Sequence, residues 1–471
     1  MTVLSHERFA RRYRRWQQNV LLASPFVIFC GIIAAVFFFY RFVLVLTPLV
    51  FLEQAVLPES DANSGIVCNE DEGSHPGNVA PLLSAGYQKR IKEQPATSRN
   101  LVANPGLTQV NAESGEPVGY THAAELRGAH YSYHHGAGPA YLHVDVPEDI
   151  PQGKIPPAWV LRPAVIKADA TYAYGFYYRS DVPVHVSAEY TVNGKTGYKE
   201  VMTLDANTSW QRFEAHFDNT EAATDFRVDI SSTKKGYVDS RGFDIHEIAS
   251  ASLKKGIVSV AFDDGWQSVN DKAAGLLAKY GIRTTQYIIS DVAAHGVKGY
   301  MSYGTIRRLH QEGHEIGSHT LNHCNQTMLS PQAIAANATA SKQTLEKEGL
   351  GPVKSFAYPL GEYNEKTQAV YEKDYPFVRT SDFGYNDRYF DAANIRSIAV
   401  LNTTSDKELG SWLSYAKAHK EWLVLVYHKV DASGSYNVTQ AQLEKQLAMI
   451  KQSGLTVEPI SEAARSIRPS M

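Results

Sequence analysis

The stretch GIVSVAFDDGWQS, Gly256 to Ser268, runs an apolar segment into two adjacent carboxylates, Asp263 and Asp264, and then Gly265. A short apolar run bounded by glycine reads as a buried strand. SVNDKAAGLLAKYG (Ser268–Gly281) follows with a helical pattern, so the two together read as one unit of a parallel α/β sheet. Like charges side by side at a strand end repel each other, and something must compensate them. In parallel α/β sheets the reactive groups collect at the C-terminal ends of strands, where Asp263 and Asp264 fall.

The same texture continues from about Lys255 onward. YGTIRRLHQEG, SPQAIAANATASKQTLEKEG and TQAQLEKQLAMIKQSG have helical patterns, and Gly281, Gly313, Gly349 and Gly454 stand where C-caps belong. Strand–helix alternation of this kind means either a doubly wound sheet or a β/α barrel. HEIGSHTLNH (His314–His323) carries His319 and His323, four apart, which one helical turn would place on one face. LVLVYHKV (Leu423–Val430) ends an apolar strand in His428, and FAYPLGEYN (Phe356–Asn364) holds a proline turn. A carboxylate with two imidazoles suits Zn²⁺ or another first-row divalent ion and leaves a coordination position open for water. If Asp264 binds the cation with His319 and His323, its charge is neutralised, and Asp263 stays ionised beside it as a general base.

In this order FDDG, SHTLNH, FAYPLG and LVLVYH resemble the successive motifs of the polysaccharide deacetylases, carbohydrate esterase family four or the nodulation-B-homology domain, from about Gly256 to Ile467. The resemblance implies a distorted (β/α) barrel, a divalent metal (Zn²⁺ first, with Co²⁺, Ni²⁺, Fe²⁺ or Mn²⁺ as other options) and hydrolysis of acetyl groups on a glycan. It also implies Asp263 as base, Asp264, His319 and His323 as metal ligands, and His428 as the acid for the departing amine. The main-chain N–H of Leu360 is implied as an oxyanion donor. Tyr358, Pro359, Phe383 and Tyr385 are the implied substrate contacts. Two departures stand out. Many members have an arginine in the third motif to orient the base; here Ala357 and Tyr358 occupy that region, and Arg379 or Arg396 are the candidate substitutes. The fourth motif, VRTSDFGYN (Val378–Asn386), has no Trp, and Asp382 is its candidate for tuning the acid histidine.

Upstream, TYAYGFYYRS, VHVSAEYTV, GYKEVMTL, SWQRFEAHF and TDFRVDIS are dense in β-branched and aromatic residues, with an Asn193-Gly194 hairpin signal between two of them. They predict an all-β sandwich. NLVANPGL (Asn100–Leu107), SWQRFEAHF and GFDIHEI (Gly242–Ile248) resemble jelly-roll carbohydrate-binding modules, in which Trp159, Tyr172, Tyr174 and Tyr178 are candidates to stack on sugars. Tyr172, Tyr174 and Phe176 share one strand register, which favours burial of that face.

Five arginines (Arg8, Arg11, Arg12, Arg14, Arg15) precede an apolar run from Val20 to Tyr40 and a second from Phe42 to Leu52. This reads as a transmembrane helix with a cytoplasmic N-terminus and a periplasmic or extracellular remainder. The expected organisation is a basic tail (1–19), a membrane anchor (20–52), a linker (53–98) with one short helix, a β-sandwich (99–250) and an α/β deacetylase domain (251–471). The net charge of −3 over 471 residues gives no case for nucleic acid. The three cysteines, Cys30, Cys68 and Cys324, have no metal-ligand spacing and form no disulfide framework; Cys68 with Cys324 is the one pairing left open. The expected function is a membrane-anchored, metal-dependent deacetylase of an N-acetylated cell-surface or extracellular polysaccharide. A glycoside hydrolase and a non-catalytic glycan-binding or assembly protein are the alternatives.

Overall fold

The computed structural model describes residues 82–123 and 128–468. The first half is built from eleven strands: β1 (Tyr120–His122), β2 (His130–His134), β3 (Tyr141–Val146), β4 (Trp159–Leu161), β5 (Ala164–Val165), β6 (Thr171–Ser180), β7 (Val184–Val192), β8 (Lys195–Leu204), β9 (Asn207–Asp218), β10 (Asp225–Ser231) and β11 (Gly236–Ile248). They form two main antiparallel sheets, β5-β10-β7-β8 and β2-β3-β11-β6-β9, with β1 and β4 as a separate pair. The turn between β7 and β8 has Asn193 and Gly194 both at positive φ, as a type I′ hairpin requires. Along β6, Tyr172, Tyr174 and Phe176 pair with Phe217, Ala215 and Phe213 of β9 and turn their rings into the core. Trp159, Tyr172, Tyr174 and Tyr178 are all buried there, so their rings are core and not sugar platforms.

The second half contains β12 (Ile257–Phe262), β13 (Thr285–Ile288), β14 (Glu315–Ser318), β15 (Ser355–Ala357), β16 (Phe377–Arg379), β17 (Ile398–Ala399), β18 (Trp422–Tyr427) and β19 (Thr456–Val457). All pair in parallel, in the order β16-β15-β14-β13-β12-β18-β17, with β19 beside β12. The sheet curls into a half-barrel, consistent with a distorted (β/α) barrel; β16 and β17 do not pair with each other, but a parallel bridge joins Arg379 of β16 to Ile395, just before β17. β12 and β18 are buried on both faces, which is why they read as near-continuous apolar runs, broken only by Ser259, rather than as alternations.

The transmembrane part of the expected architecture is corrected. Among the described residues no helix is long and apolar enough to cross a membrane. The anchor expected over 20–52 and the basic tail lie outside the described residues. Membrane attachment, a cytoplasmic N-terminus and a periplasmic or extracellular catalytic half therefore have no support among the described residues. Cys324 is disulfide-bonded; Cys30 and Cys68, the second of which the sequence leaves open as its partner, lie outside the described residues.

Part of the expected linker is structural. Helix α1 (Ala85–Lys92) is capped by Ser84, whose Oγ accepts from Tyr87 N. It packs against both halves of the chain. Tyr87 Oη meets Nδ1 of His216 in β9 at 2.6 Å, and Nε2 of the same ring meets Asp387 at 2.5 Å. Ser84 N and Oγ donate to the buried Asp391 carboxylate at 2.6 and 2.7 Å. Buried donors of this kind are costly to leave unpaired, so Asp391→Ala is expected to lower stability by about 1–3 kcal/mol. The check is the urea midpoint of the full chain; an unchanged midpoint would show that this contact ties nothing together.

Candidate metal centre

Strand β12 hands over to the site through Asp263, whose N–H still pairs with the Tyr427 carbonyl of β18 at 3.0 Å. The chain then turns through two left-handed residues, Asp264 at φ 74° and Gly265 at φ 81°. For a residue with a side chain this conformation is uncommon and costs about 1–3 kcal/mol, so the surrounding contacts must enforce it. On the opposite side of β13, β14 ends at Ser318 and delivers His319, held by a bond from its N–H to the Ile288 carbonyl at 2.9 Å. His319 and His323 do not share a helical face, as their spacing suggests. They sit in a turn in which Thr320 and His323 have φ of 69° and 61°, and this turn brings the two rings together at 5.0 Å.

Asp264, His319 and His323 form a cluster whose ligand atoms all lie within 4.8 Å of one another. Oδ1 of Asp264 faces Nε2 of His319 at 3.4 Å and Nε2 of His323 at 3.3 Å. The same Oδ1 is buried and accepts no hydrogen bond among the described residues. A buried carboxylate oxygen without a donor, facing two imidazole nitrogens, is a poor arrangement for the protein alone and a good one for a divalent cation. Nδ1 of His319 donates to the Ala357 carbonyl at 2.8 Å, which leaves Nε2 with its lone pair toward the cluster. The donor set is capable of coordinating a divalent ion such as Zn²⁺.

Asp263 stands beside this cluster with a different set of neighbours. Arg379 Nη2 donates to Asp263 Oδ2 at 2.5 Å, and both residues are almost fully buried. His428 Nε2 lies 3.9 Å from the same oxygen, while Asp263 Oδ1 is buried without a hydrogen-bond partner among the described residues. Of the two candidate arginines, it is Arg379, the last residue of β16, that reaches Asp263. Arg396 instead lies near Asp382 and Asp387. Asp382 does not tune the histidine: its carboxylate accepts from Tyr363 Oη at 2.5 Å, and Nδ1 of His428 is buried with no hydrogen-bond partner among the described residues. Burial also lowers the His428 imidazole below its ordinary value.

The remaining implied site residues divide. Leu360 is in the left-handed region at φ 59°, in the turn after the buried Pro359. Phe383 is 61% exposed. Tyr385 stacks on Tyr415 at 4.4 Å, and Tyr358, 1% exposed, stacks on Tyr363 within the core. Tyr358 is therefore a packing residue and not a wall of an open cleft. One contact was not foreseen: Trp266 Nε1 donates to Asp264 Oδ2 at 2.7 Å.

Residues 250–377 match the family model described as polysaccharide deacetylase, a span that contains Asp263, Asp264, His319 and His323. The chain carries a polysaccharide-deacetylase domain. Among curated proteins it is similar to YxkH of Bacillus subtilis (strain 168), named for the polysaccharide deacetylases: 27% identity over 161 residues, or 34% of this chain and 57% of that one. It is also similar to a gellan lyase from a Bacillus species, at 30% identity over 123 residues, 26% of this chain and 5% of the relative. The chain thus spans a little over half the length of the first relative and a small fraction of the second. Among solved structures it is similar to the Streptococcus pyogenes deacetylase PplD in complex with acetate, at 24% identity and TM-score 0.31, covering 32% of this chain and 67% of that one. The family match lies in the α/β half and does not extend to the jelly-roll resemblance of the sandwich.

Two outcomes follow for the deacetylase domain. The metal-stripped chain is expected to bind one Zn²⁺ tightly; Asp264→Ala, His319→Ala and His323→Ala should each abolish that binding in calorimetry, while His428→Ala leaves it in place. Arg379→Met leaves a buried carboxylate unpaired and is expected to lower stability by about 3–5 kcal/mol in urea unfolding. A loss below about 1 kcal/mol would mean that the pair contributes little to holding the sheet end.

Proposed function

We propose that the domain is a metal-dependent N-deacetylase of an acetylated glycan, with Asp263 as base and His428 as acid. The observation that supports this most strongly is the division of roles between neighbouring carboxylates. Asp264 Oδ1 faces the two histidines, and Asp263 is withheld from them by Arg379. An ion held by Asp264, His319 and His323 would supply a water of lowered pKa and polarise the acetyl carbonyl. Asp263 takes a proton from the attacking water; its Oδ2 is fixed by Arg379, and its Oδ1 has no other partner. His428, whose Nε2 faces Asp263, gives a proton to the nitrogen as the C–N bond breaks. The N–H of Leu360, in the left-handed turn after Pro359, is the oxyanion donor in this scheme. Water adds to the acetyl carbon, leaving one proton on Asp263; the C–N bond breaks as His428 protonates the nitrogen, acetate departs with its acid proton lost to solvent, and Asp263 then gives up its proton while His428 regains one, so one water is consumed per bond cleaved and both residues return to their starting states.

A glycosidase needs two carboxyl groups on opposite sides of a sugar, about 5 Å or more apart. Asp263 and Asp264 are consecutive at one strand end and are assigned to different partners, which disfavours that reading. The test offers metal-stripped full-length chain several acetylated oligosaccharides, chito-oligosaccharide first, with and without Zn²⁺. Acetate release restored by metal and lowered about 10²–10⁴-fold in Asp263→Asn is the expected result. Shortened oligosaccharide, or no acetate from any acetylated polymer, would contradict the proposal.

A further inference from the structure

Trp266 lies two residues beyond a metal-cluster carboxylate, in a turn whose purpose the catalytic reading does not use. We propose that Trp266 is a positioning residue for the metal: its indole N–H holds Oδ2 of Asp264 so that only Oδ1 is offered to the ion. The inference rests on the metal-centre geometry and not on the deacetylase reading.

The two oxygens of Asp264 have different surroundings. Oδ1 faces both histidine Nε2 atoms and accepts no hydrogen bond, and Oδ2 accepts from Trp266 Nε1 at 2.7 Å. A free carboxylate can rotate about its terminal torsion or close on a cation with both oxygens. A donor fixed on one oxygen removes both options. The bond is made to a charged acceptor in a buried site, where such bonds are about twice as strong as neutral ones.

The indole is itself held. The left-handed pair Asp264–Gly265 folds the chain back so that the side chain at 266 returns over the carboxylate at 264. Trp266 forms a backbone bridge with Tyr300, and the two rings stack at 4.1 Å with planes 24° apart. Lys429 Nζ sits over the indole, 3.6 Å from its centroid. Lys429 directly follows His428, so the segment that carries the proposed acid also braces the ring that orients the metal ligand. Next-shell donors of this kind usually change metal affinity by about 10–100-fold when removed.

The test compares Trp266→Phe with the parent full-length chain. The phenyl ring keeps a stacking surface for Tyr300 and Lys429 but has no N–H. The dissociation constant for Zn²⁺, measured by chelator competition, is expected to rise about 10–100-fold. The Co²⁺-substituted form should show weaker visible absorption, because Asp264 can then close on the ion with both oxygens and raise its coordination number. The metal-free variant should unfold at the parent's urea midpoint. Affinity within twofold of the parent together with an unchanged Co²⁺ spectrum would overturn the proposal and leave Trp266 as a wall of the site. If Trp266→Phe fails to fold, Trp266→3-benzothienylalanine, which replaces only the N–H by sulfur, is read by the same two measurements and the same criteria.

Discussion

The contact between Arg379 and Asp263 sets the shape on which the site depends. Asp263 follows β12 and Arg379 ends β16, and three strands lie between them. In a flat sheet, neighbouring strands are about 4.8 Å apart, so four steps would separate these residues by more than any side chain can bridge. They meet at 2.5 Å because the sheet curls. The curl also brings His319, from the end of β14, and His428, from the end of β18, to the same side of Asp263 and Asp264. A buried ion pair of this kind is weak evidence for net stability, since desolvation opposes its attraction. Its value here is geometric: it fixes Oδ2 of Asp263 and leaves Oδ1 without a hydrogen-bond partner among the described residues.

The two adjacent carboxylates then find separate solutions to their mutual repulsion. Asp264 has two imidazoles facing one oxygen and an indole N–H on the other. Asp263 has a guanidinium. The left-handed turn after Asp263 makes this separation possible, because an extended residue at 264 would continue the strand and carry its side chain to the opposite face. The strain at Asp264 is therefore tied to a specific arrangement of ligands.

Much of the α/β half was legible because its signals are local. Buried parallel strands such as β12 and β18 are short runs of apolar residues, with Ser259 the one exception in β12, and Gly281, Gly313 and Gly454 mark the ends of several helices between them. What was not legible depends on tertiary approach. Spacing could not choose between Arg379 and Arg396, because the choice rests on how far the sheet curls. The i, i+4 spacing of His319 and His323 suggested a helix, but positive φ at Thr320 and His323 makes a turn instead. Tyr358 looked like a pocket residue because it adjoins a motif proline, yet its ring is packed into the core. Trp266 stood in the quoted motif, but its bond to Asp264 exists only through the turn geometry. The membrane anchor read from the apolar runs before Leu52 has no counterpart among the described residues.

The central claim is that Asp264, His319 and His323 together hold one divalent ion. X-ray absorption at the Zn edge of the loaded full-length chain tests it most directly. The account predicts a first shell of nitrogen and oxygen only, at about 2.0–2.1 Å, with the outer-shell scattering of two imidazoles. A shell containing sulfur at about 2.3 Å, or one without imidazole scattering, would place the ion elsewhere and contradict the account.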